Sequence, residues 1–111
     1  MSNYQVDRAR WSQMDILNQM GNIGSEVGRT ISAKRRGDDE RFNGALERAL
    51  DLFDATSEAL AAQRSPRLKE VLRSRDQFLS LFFLDKFDTD ADNIERYFMQ
   101  FATAARLRQS A

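Results

Sequence analysis

Five carboxylates recur at helical spacing along one stretch of the chain, and their chemistry is the first candidate for an activity. The row consists of Glu40, Glu47, Asp51, Asp54 and Glu58. Carboxylate oxygens bind Mg²⁺, so the row suggests an Mg²⁺-dependent phosphohydrolase that uses Glu47, Asp51 and Asp54. Such a site needs a second acidic helix across a cleft, and the following helical stretch offers only Glu70 and Asp76. We therefore favour a solvated acidic face and keep the enzyme as a remote alternative.

The composition removes most other catalytic chemistry. The 111 residues include no histidine and no cysteine. Ser-His and Cys-His nucleophiles, the commonest general base and zinc-thiolate sites are therefore excluded. We expect no catalytic residue, no cofactor and no bound metal.

Charge and hydropathy predict a cytoplasmic protein that does not enter a membrane. Lys+Arg and Asp+Glu each number 17, which gives zero net charge. The N-terminus lacks the apolar core of a signal peptide. The longest apolar run, residues 78–84, is far shorter than the roughly 18 residues that a transmembrane helix needs.

Hydrophobic periodicity predicts a single all-α domain over residues 1–111. Ser12, Asp38 and Ser65 are candidate N-caps, and Gly37 is a candidate helix stop. Residues 1–11 are expected to be a loose lead-in with Trp11 tucked against the helices. Four helices follow at about 12–36, 38–63, 66–85 and 90–108. Their lengths and short loops favour an antiparallel up-down-up-down four-helix bundle, with a helical hairpin pair that completes its core by dimerising as the alternative.

Glycine is unusually frequent inside the first predicted helix. Gly21, Gly24 and Gly28 lie beside a ridge of large apolar residues, and each costs about 1 kcal/mol relative to alanine. Such a smooth flank lets another helix approach closely. That helix belongs either to the same bundle or to a second copy or another protein. A leucine at Gly24 is expected to disrupt folding or assembly far more than one at Ser25.

The third predicted helix carries more apolar surface than one small bundle should hide. Leu81 and Leu84 point away from its core arc, and Phe83 extends that arc on the other side. This pattern predicts self-association, unless the flanking residues Tyr4, Trp11 or Phe87 cover the surface.

Arg75 falls in the middle of the same apolar arc. An arginine there needs a partner. An ion pair is expected, with Glu26 and Glu95 on flanks that could reach it. A side chain that extends to the surface, or contact with an anion or a partner protein, is the alternative.

Basic residues gather at one end of the predicted bundle. They are Arg8, Arg10, Arg64, Arg67, Lys69, Arg106 and Arg108, and we define the basic pole as the last five of these. It is a candidate contact for nucleic-acid phosphates. Solvated helix ends are the favoured interpretation.

Three segments resemble a family of small, uncharacterised prokaryotic proteins. They are residues 22–29 (NIGSEVGR), 45–52 (ALERALDL) and 97–102 (YFMQFA), the last followed by Ala104-Ala105-Arg106. The resemblance implies a soluble cytosolic helical bundle and supplies no activity. The predicted architecture is also similar to the four-helix accessory proteins of diversity-generating retroelements, which form rings and contact nucleic acid beside a reverse transcriptase.

The expected role is therefore non-enzymatic: a self-associating binding or scaffold module, with a homo-oligomer or a partner protein at its apolar surfaces. The alternative is a nucleic-acid-binding accessory subunit that uses the basic pole, for example beside a reverse transcriptase.

Overall fold

The computed structural model describes residues 5–83 and 87–110, and these residues form five α-helices without a strand. The helices are α1 (Arg8–Ser12), α2 (Ile16–Arg36), α3 (Asp39–Ala62), α4 (Leu68–Ser80) and α5 (Phe87–Ser110). The all-α prediction is confirmed. The arrangement is compatible with a four-helix bundle to which α1 adds a short fifth helix. Tyr4, Leu84 and the expected end of the third helix at residue 85 lie outside the described residues.

The N-terminal region differs from the expected loose lead-in, because residues 8–12 form α1 and α2 begins only at Ile16. Asp15 is the N-cap of α2, and its carboxylate accepts a hydrogen bond from the Asn18 N–H at 2.9 Å. Ser12 closes α1 instead, since its hydroxyl donates to the Ala9 carbonyl at 2.8 Å. Both residue types cap helices well, so the sequence does not discriminate between them.

The other helix boundaries follow local chemistry. Gly37 adopts a left-handed conformation with φ 69° and ends α2, and the Asp38 carboxylate caps α3 by accepting the Arg41 N–H at 3.1 Å. Ser65 accepts the Arg67 N–H at 3.2 Å, which forms a turn, and α4 begins after it at Leu68.

Helix α2 lies between α3 and α5, while α3 also contacts α1 and α4. Ion pairs join the start of α2 to the end of α5 and the end of α2 to the first half of α5. Arg108 near the end of α5 binds Asp15 at the start of α2 at 2.8 Å. Arg35 near the end of α2 binds Asp92 in the first half of α5 at 3.0 Å.

An aromatic cluster joins α3, α4 and α5 at the centre of the core. The Phe53 ring is fully buried, and its centroid lies 5.9 Å from that of Phe78 and 6.0 Å from that of Phe98. Aromatic pairs in such geometry contribute about 0.5–1.5 kcal/mol each beyond the burial of their area.

Helix α1 is held on α3 and α2 by directed hydrogen bonds as well as by packing. Trp11 is buried, and its indole N–H donates to the Thr56 hydroxyl at 2.8 Å. The Gln19 side chain, also buried, donates to the Trp11 carbonyl at 2.7 Å. Thr56, the one polar residue of the apolar stripe of α3, is therefore the acceptor for the indole.

Replacing Thr56 should test this anchor. Thr56→Val removes the acceptor and leaves the indole N–H buried without a partner, which should cost about 1–3 kcal/mol. Thr30→Val is the matched control, because Thr30 is equally buried and donates only to the Glu26 carbonyl of its own helix at 2.7 Å. Urea unfolding followed by circular dichroism should give a clearly lower midpoint for Thr56→Val than for Thr30→Val. Equal midpoints would contradict this account of the anchor.

Candidate functional site

A surface groove of about 960 Å³ runs between α2 and α3. Its α2 wall contains Ser25, Gly28, Arg29, Ser32 and Arg36, and its α3 wall contains Glu40, Arg41, Asn43, Gly44, Ala45, Glu47 and Arg48. We call this surface the α2–α3 face. Small and charged residues line it, so it is an open trough of mixed polar and apolar character rather than an apolar pocket.

Two glycines leave this trough open. A Cβ atom added at Gly28 would meet no heavy atom within 4 Å other than the adjacent backbone of its own helix, so packing among the described residues does not require a glycine there. A Cβ at Gly44 would lie 3.3 Å from a terminal guanidinium nitrogen of Arg48, the mobile end of a long side chain. At both positions a glycine makes the helix less stable than an alanine would. No contact among the described residues explains why a glycine is there.

Ion pairs satisfy some of the charges on the α2–α3 face. Glu26, beside the trough, binds Arg29 at 2.6 Å and Arg48 at 3.0 Å. Arg36 donates to the Ser32 hydroxyl at 3.2 Å. Among the described residues, no ion pair involves Arg36, Glu40 or Glu47.

The other two glycines of α2 are covered by α5 of the same chain. A Cβ at Gly24 would lie 2.8 Å from the Phe98 Cβ, and one at Gly21 would lie 3.7 Å from the Ala102 Cα. Close packing against α5 thus accounts for Gly24. Of the three glycines expected to contact another helix, Gly28 is the one whose Cβ position has no described neighbour within 4 Å.

The apolar end of α4 also differs from expectation. Leu81, expected at an interface, is only 3% exposed and belongs to the core, whereas Phe83 is 83% exposed. Leu81 keeps a helical backbone conformation at the end of α4 and follows the buried residues Val71, Ser74 and Phe78 at spacings of three and four. The buried side of α4 is therefore rotated towards Leu81 relative to the predicted core arc. Leu84, the third expected contact, lies outside the described residues.

Arg75 contacts an acid of α3. Its Nε lies 3.4 Å from an Asp54 carboxylate oxygen, and its side chain is 30% exposed. The acids expected to reach it have other partners: Glu26 binds Arg29 and Arg48, and Glu95 lies 3.6 Å from Arg35. The Arg75 Nε makes no hydrogen bond, since its contact with Asp54 has the distance but not the geometry of one.

The acidic row of α3 is divided among several partners. Arg8 binds Asp51 at 2.8 Å and Glu58 at 2.9 Å, while Asp54 faces Arg75 on α4. Burial lowers the pKa of Arg8, but hydrogen bonds to Asp51 and Glu58 outweigh it, so the pKa is raised. Within residues 5–83 and 87–110, no three acidic side chains form a group that could hold a metal ion.

The basic pole is exposed and only partly paired. Arg108 binds Asp15, and Arg106 also interacts within the described part of the chain. Arg64, Arg67 and Lys69 are exposed around the start of α4, and none of the ion pairs among described residues involves them.

A second cleft, of about 530 Å³, opens between α4 and α5 and contains Tyr97. The phenol donates to a Glu70 oxygen at 2.7 Å. Burial, followed by the hydrogen bond and the charge of Glu70, raises the pKa of Tyr97 well above its ordinary value, with Arg67 opposing the shift. The phenol therefore stays protonated at neutral pH and serves as a structural donor.

No protein-family model, curated protein or solved structure matches this chain. Among the described residues, no helix has the length and apolar character needed to span a membrane. The fold and the α2–α3 face thus define an all-α protein with a candidate docking surface.

Sequence reasoning misses several residues of that surface. It does not single out Gly44, and it does not connect Arg29, Arg36, Glu40 and Glu47 with one another. One signal is present: Arg29 and Arg36 are seven residues apart, as are Glu40 and Glu47, so each pair lies on one side of its helix.

Alanine should separate the roles of two α2 glycines. Gly24→Ala places a Cβ against the Phe98 Cβ, and such overpacking should lower the free energy of unfolding by about 1–3 kcal/mol. Gly28→Ala meets no neighbour and should raise the free energy of unfolding by about 0.5–1 kcal/mol through helix propensity. Urea titrations in dilute solution measure both. Shifts of the same sign would contradict the packing described here.

Proposed function

We propose that this chain is a cytosolic, non-enzymatic helical module that self-associates and serves as a binding or scaffold unit. The observation that carries the proposal is Gly28, which lies mid-helix on an open face with no atom near its missing Cβ. A mid-helix glycine costs about 1 kcal/mol. Close approach of a helix from a second molecule is the physical reason we offer for that cost.

The proposed module is an up-down-up-down bundle of α2, α3, α4 and α5. The ion pairs between opposite ends of α2 and α5 support opposite directions for these two helices. The Lys34 ammonium lies 5.8 Å from the centre of the Phe42 ring, and Arg48 reaches back to Glu26, which supports the same relation for α2 and α3. In this arrangement α2 is covered on two sides and keeps one side for a partner.

Phe83 supports a binding role from a different part of the surface. A phenylalanine that is 83% exposed is apolar area left in water, and burying it against a partner would contribute about 1.5–3 kcal/mol. It follows the end of α4 and so offers a contact separate from the α2–α3 face.

Light scattering across micromolar to millimolar concentrations tests self-association. We expect a mass above that of the 12.8 kDa chain that rises with concentration. Gly28→Leu should shift the protein towards monomer, because the side chain fills the trough. The matched control is Gln100→Leu, at an exposed position on α5 that does not line the trough. A wild-type protein that stays monomeric throughout would contradict the proposal.

A nucleic-acid-binding accessory subunit is the second candidate, and one observation favours it. Arg64, Arg67 and Lys69 are exposed without an acid partner among the described residues, around the start of α4, where the helix dipole is also positive. Positive side chains beside the positive end of the helix dipole repel it and are unfavourable within the chain, but together they would attract phosphate.

Binding to single-stranded RNA and to duplex DNA at several salt concentrations tests this candidate. The double substitution Arg64→Glu/Arg67→Glu should weaken binding and reduce the slope of log K against log salt by about 0.7–0.9 for each phosphate that the protein no longer neutralises. Lys34→Glu/Arg96→Glu makes the same change in net charge elsewhere and should have less effect. Equally weakened binding in the two variants would leave no role for the basic pole.

A further inference from the structure

The α2–α3 face carries two charge pairs of opposite sign with the same spacing. Arg29 and Arg36 belong to the α2 wall of the trough, and Glu40 and Glu47 belong to the α3 wall. Each pair is seven residues apart, which corresponds to about 10.5 Å along a helix. The α3 wall also contains Arg41 and Arg48, which pair within the chain with Asp38 at 3.3 Å and with Glu26 at 3.0 Å. Apart from these two paired arginines, the α2 wall presents two positive charges and the α3 wall two negative charges at a matching interval.

The relation between the helices brings these charges into register. Near the α2–α3 turn, Lys34 lies over Phe42, and farther from the turn Glu26 binds Arg48. With this alignment Arg36 is level with Glu40 and Arg29 is level with Glu47, across the trough. In the chain itself Arg36 bonds to Ser32 and Arg29 bonds to Glu26, so neither engages the opposite wall.

We propose that the α2–α3 face is the interface between two copies of this chain, related by a two-fold axis parallel to α2 and α3. In that arrangement the α2 wall of each copy faces the α3 wall of the other. Arg29 then meets Glu47 of the second copy, and Arg36 meets Glu40 of the second copy. This inference rests on the proposed self-association and specifies its surface and register.

The charge pattern selects a second copy over other occupants. A two-fold interface must be self-complementary, because each patch contacts the same patch of its partner. The face meets this condition, since each wall carries the charges that the other wall needs. A nucleic acid or an acidic peptide would bring negative charge against Glu40 and Glu47, and a basic partner would bring positive charge against Arg29 and Arg36, so neither matches both walls.

The small residues of the trough permit the approach that these contacts need. On the same axis, Ser32 of one copy faces Gly44 of the other, and Gly28 lies opposite the α3 segment that carries Glu47. The Gly28 position is open. Exposed ion pairs add little affinity individually, so the charges mainly set partner choice and register.

A charge-swap experiment tests the interface with the full chain. One variant, Arg29→Glu/Arg36→Glu, makes all four positions negative. The other, Glu40→Arg/Glu47→Arg, makes all four positive and leaves the ion pairs of Glu26 intact. The control, Arg73→Glu/Arg96→Glu, makes the same charge change as the first variant at exposed positions on α4 and α5. Circular dichroism confirms folding, and analytical ultracentrifugation measures the dimer dissociation constant.

We expect each charge-swap variant alone to dimerise about tenfold or more weakly than wild type, because like charges face each other. An equimolar mixture of the two should recover a heterodimer that weakens with added salt. The control should dimerise like wild type. A wild-type dimer whose charge-swap variants dimerise normally, or whose mixture stays monomeric, overturns the interface but not self-association. A monomeric wild type overturns both.

Discussion

Helices α2 and α5 approach each other so closely at Gly24 and Phe98 that a side chain at residue 24 would not fit. The 2.8 Å gap between a Cβ at Gly24 and the Phe98 Cβ leaves no space for a methyl group. This contact lets the Phe98 ring reach Phe53, whose ring also meets Phe78, and so links α2 and α5 to the aromatic core of α3 and α4. The ion pairs Arg108–Asp15 and Arg35–Asp92 hold the same two helices near their ends.

With α5 on one side and α3 on the other, α2 has a single side left for solvent or a partner. Gly28 and Ser32 lie on that side, beside the trough that leads to Gly44. Two glycines in one helix therefore serve different needs. Gly24 makes room for α5 of its own chain, whereas Gly28 keeps space that nothing in the described structure occupies.

Zero net charge conceals a specific distribution of charges. The acidic row of α3 is divided by direction: Asp51 and Glu58 hold α1 through Arg8, Asp54 faces α4 through Arg75, and Glu40 and Glu47 border the trough. Most of the row therefore stabilises contacts between helices rather than forming a metal site. Glu40 and Glu47 make no ion pair among the described residues, and we assign to them a part in the choice of partner.

The amino-acid sequence alone determined the all-α class and the Gly37–Asp38 boundary, because helical periodicity, a left-handed glycine and a capping carboxylate act within a few residues. Only the tertiary structure decided that Asp15 rather than Ser12 caps α2, that Leu81 enters the core, that Asp54 faces Arg75, and that Gly24 is covered while Gly28 is open. These outcomes depend on which residues distant in sequence become neighbours. Aspartate and serine can both cap a helix, and a glycine can be covered or open, so the local sequence allows either outcome. Packing between helices selects one of them.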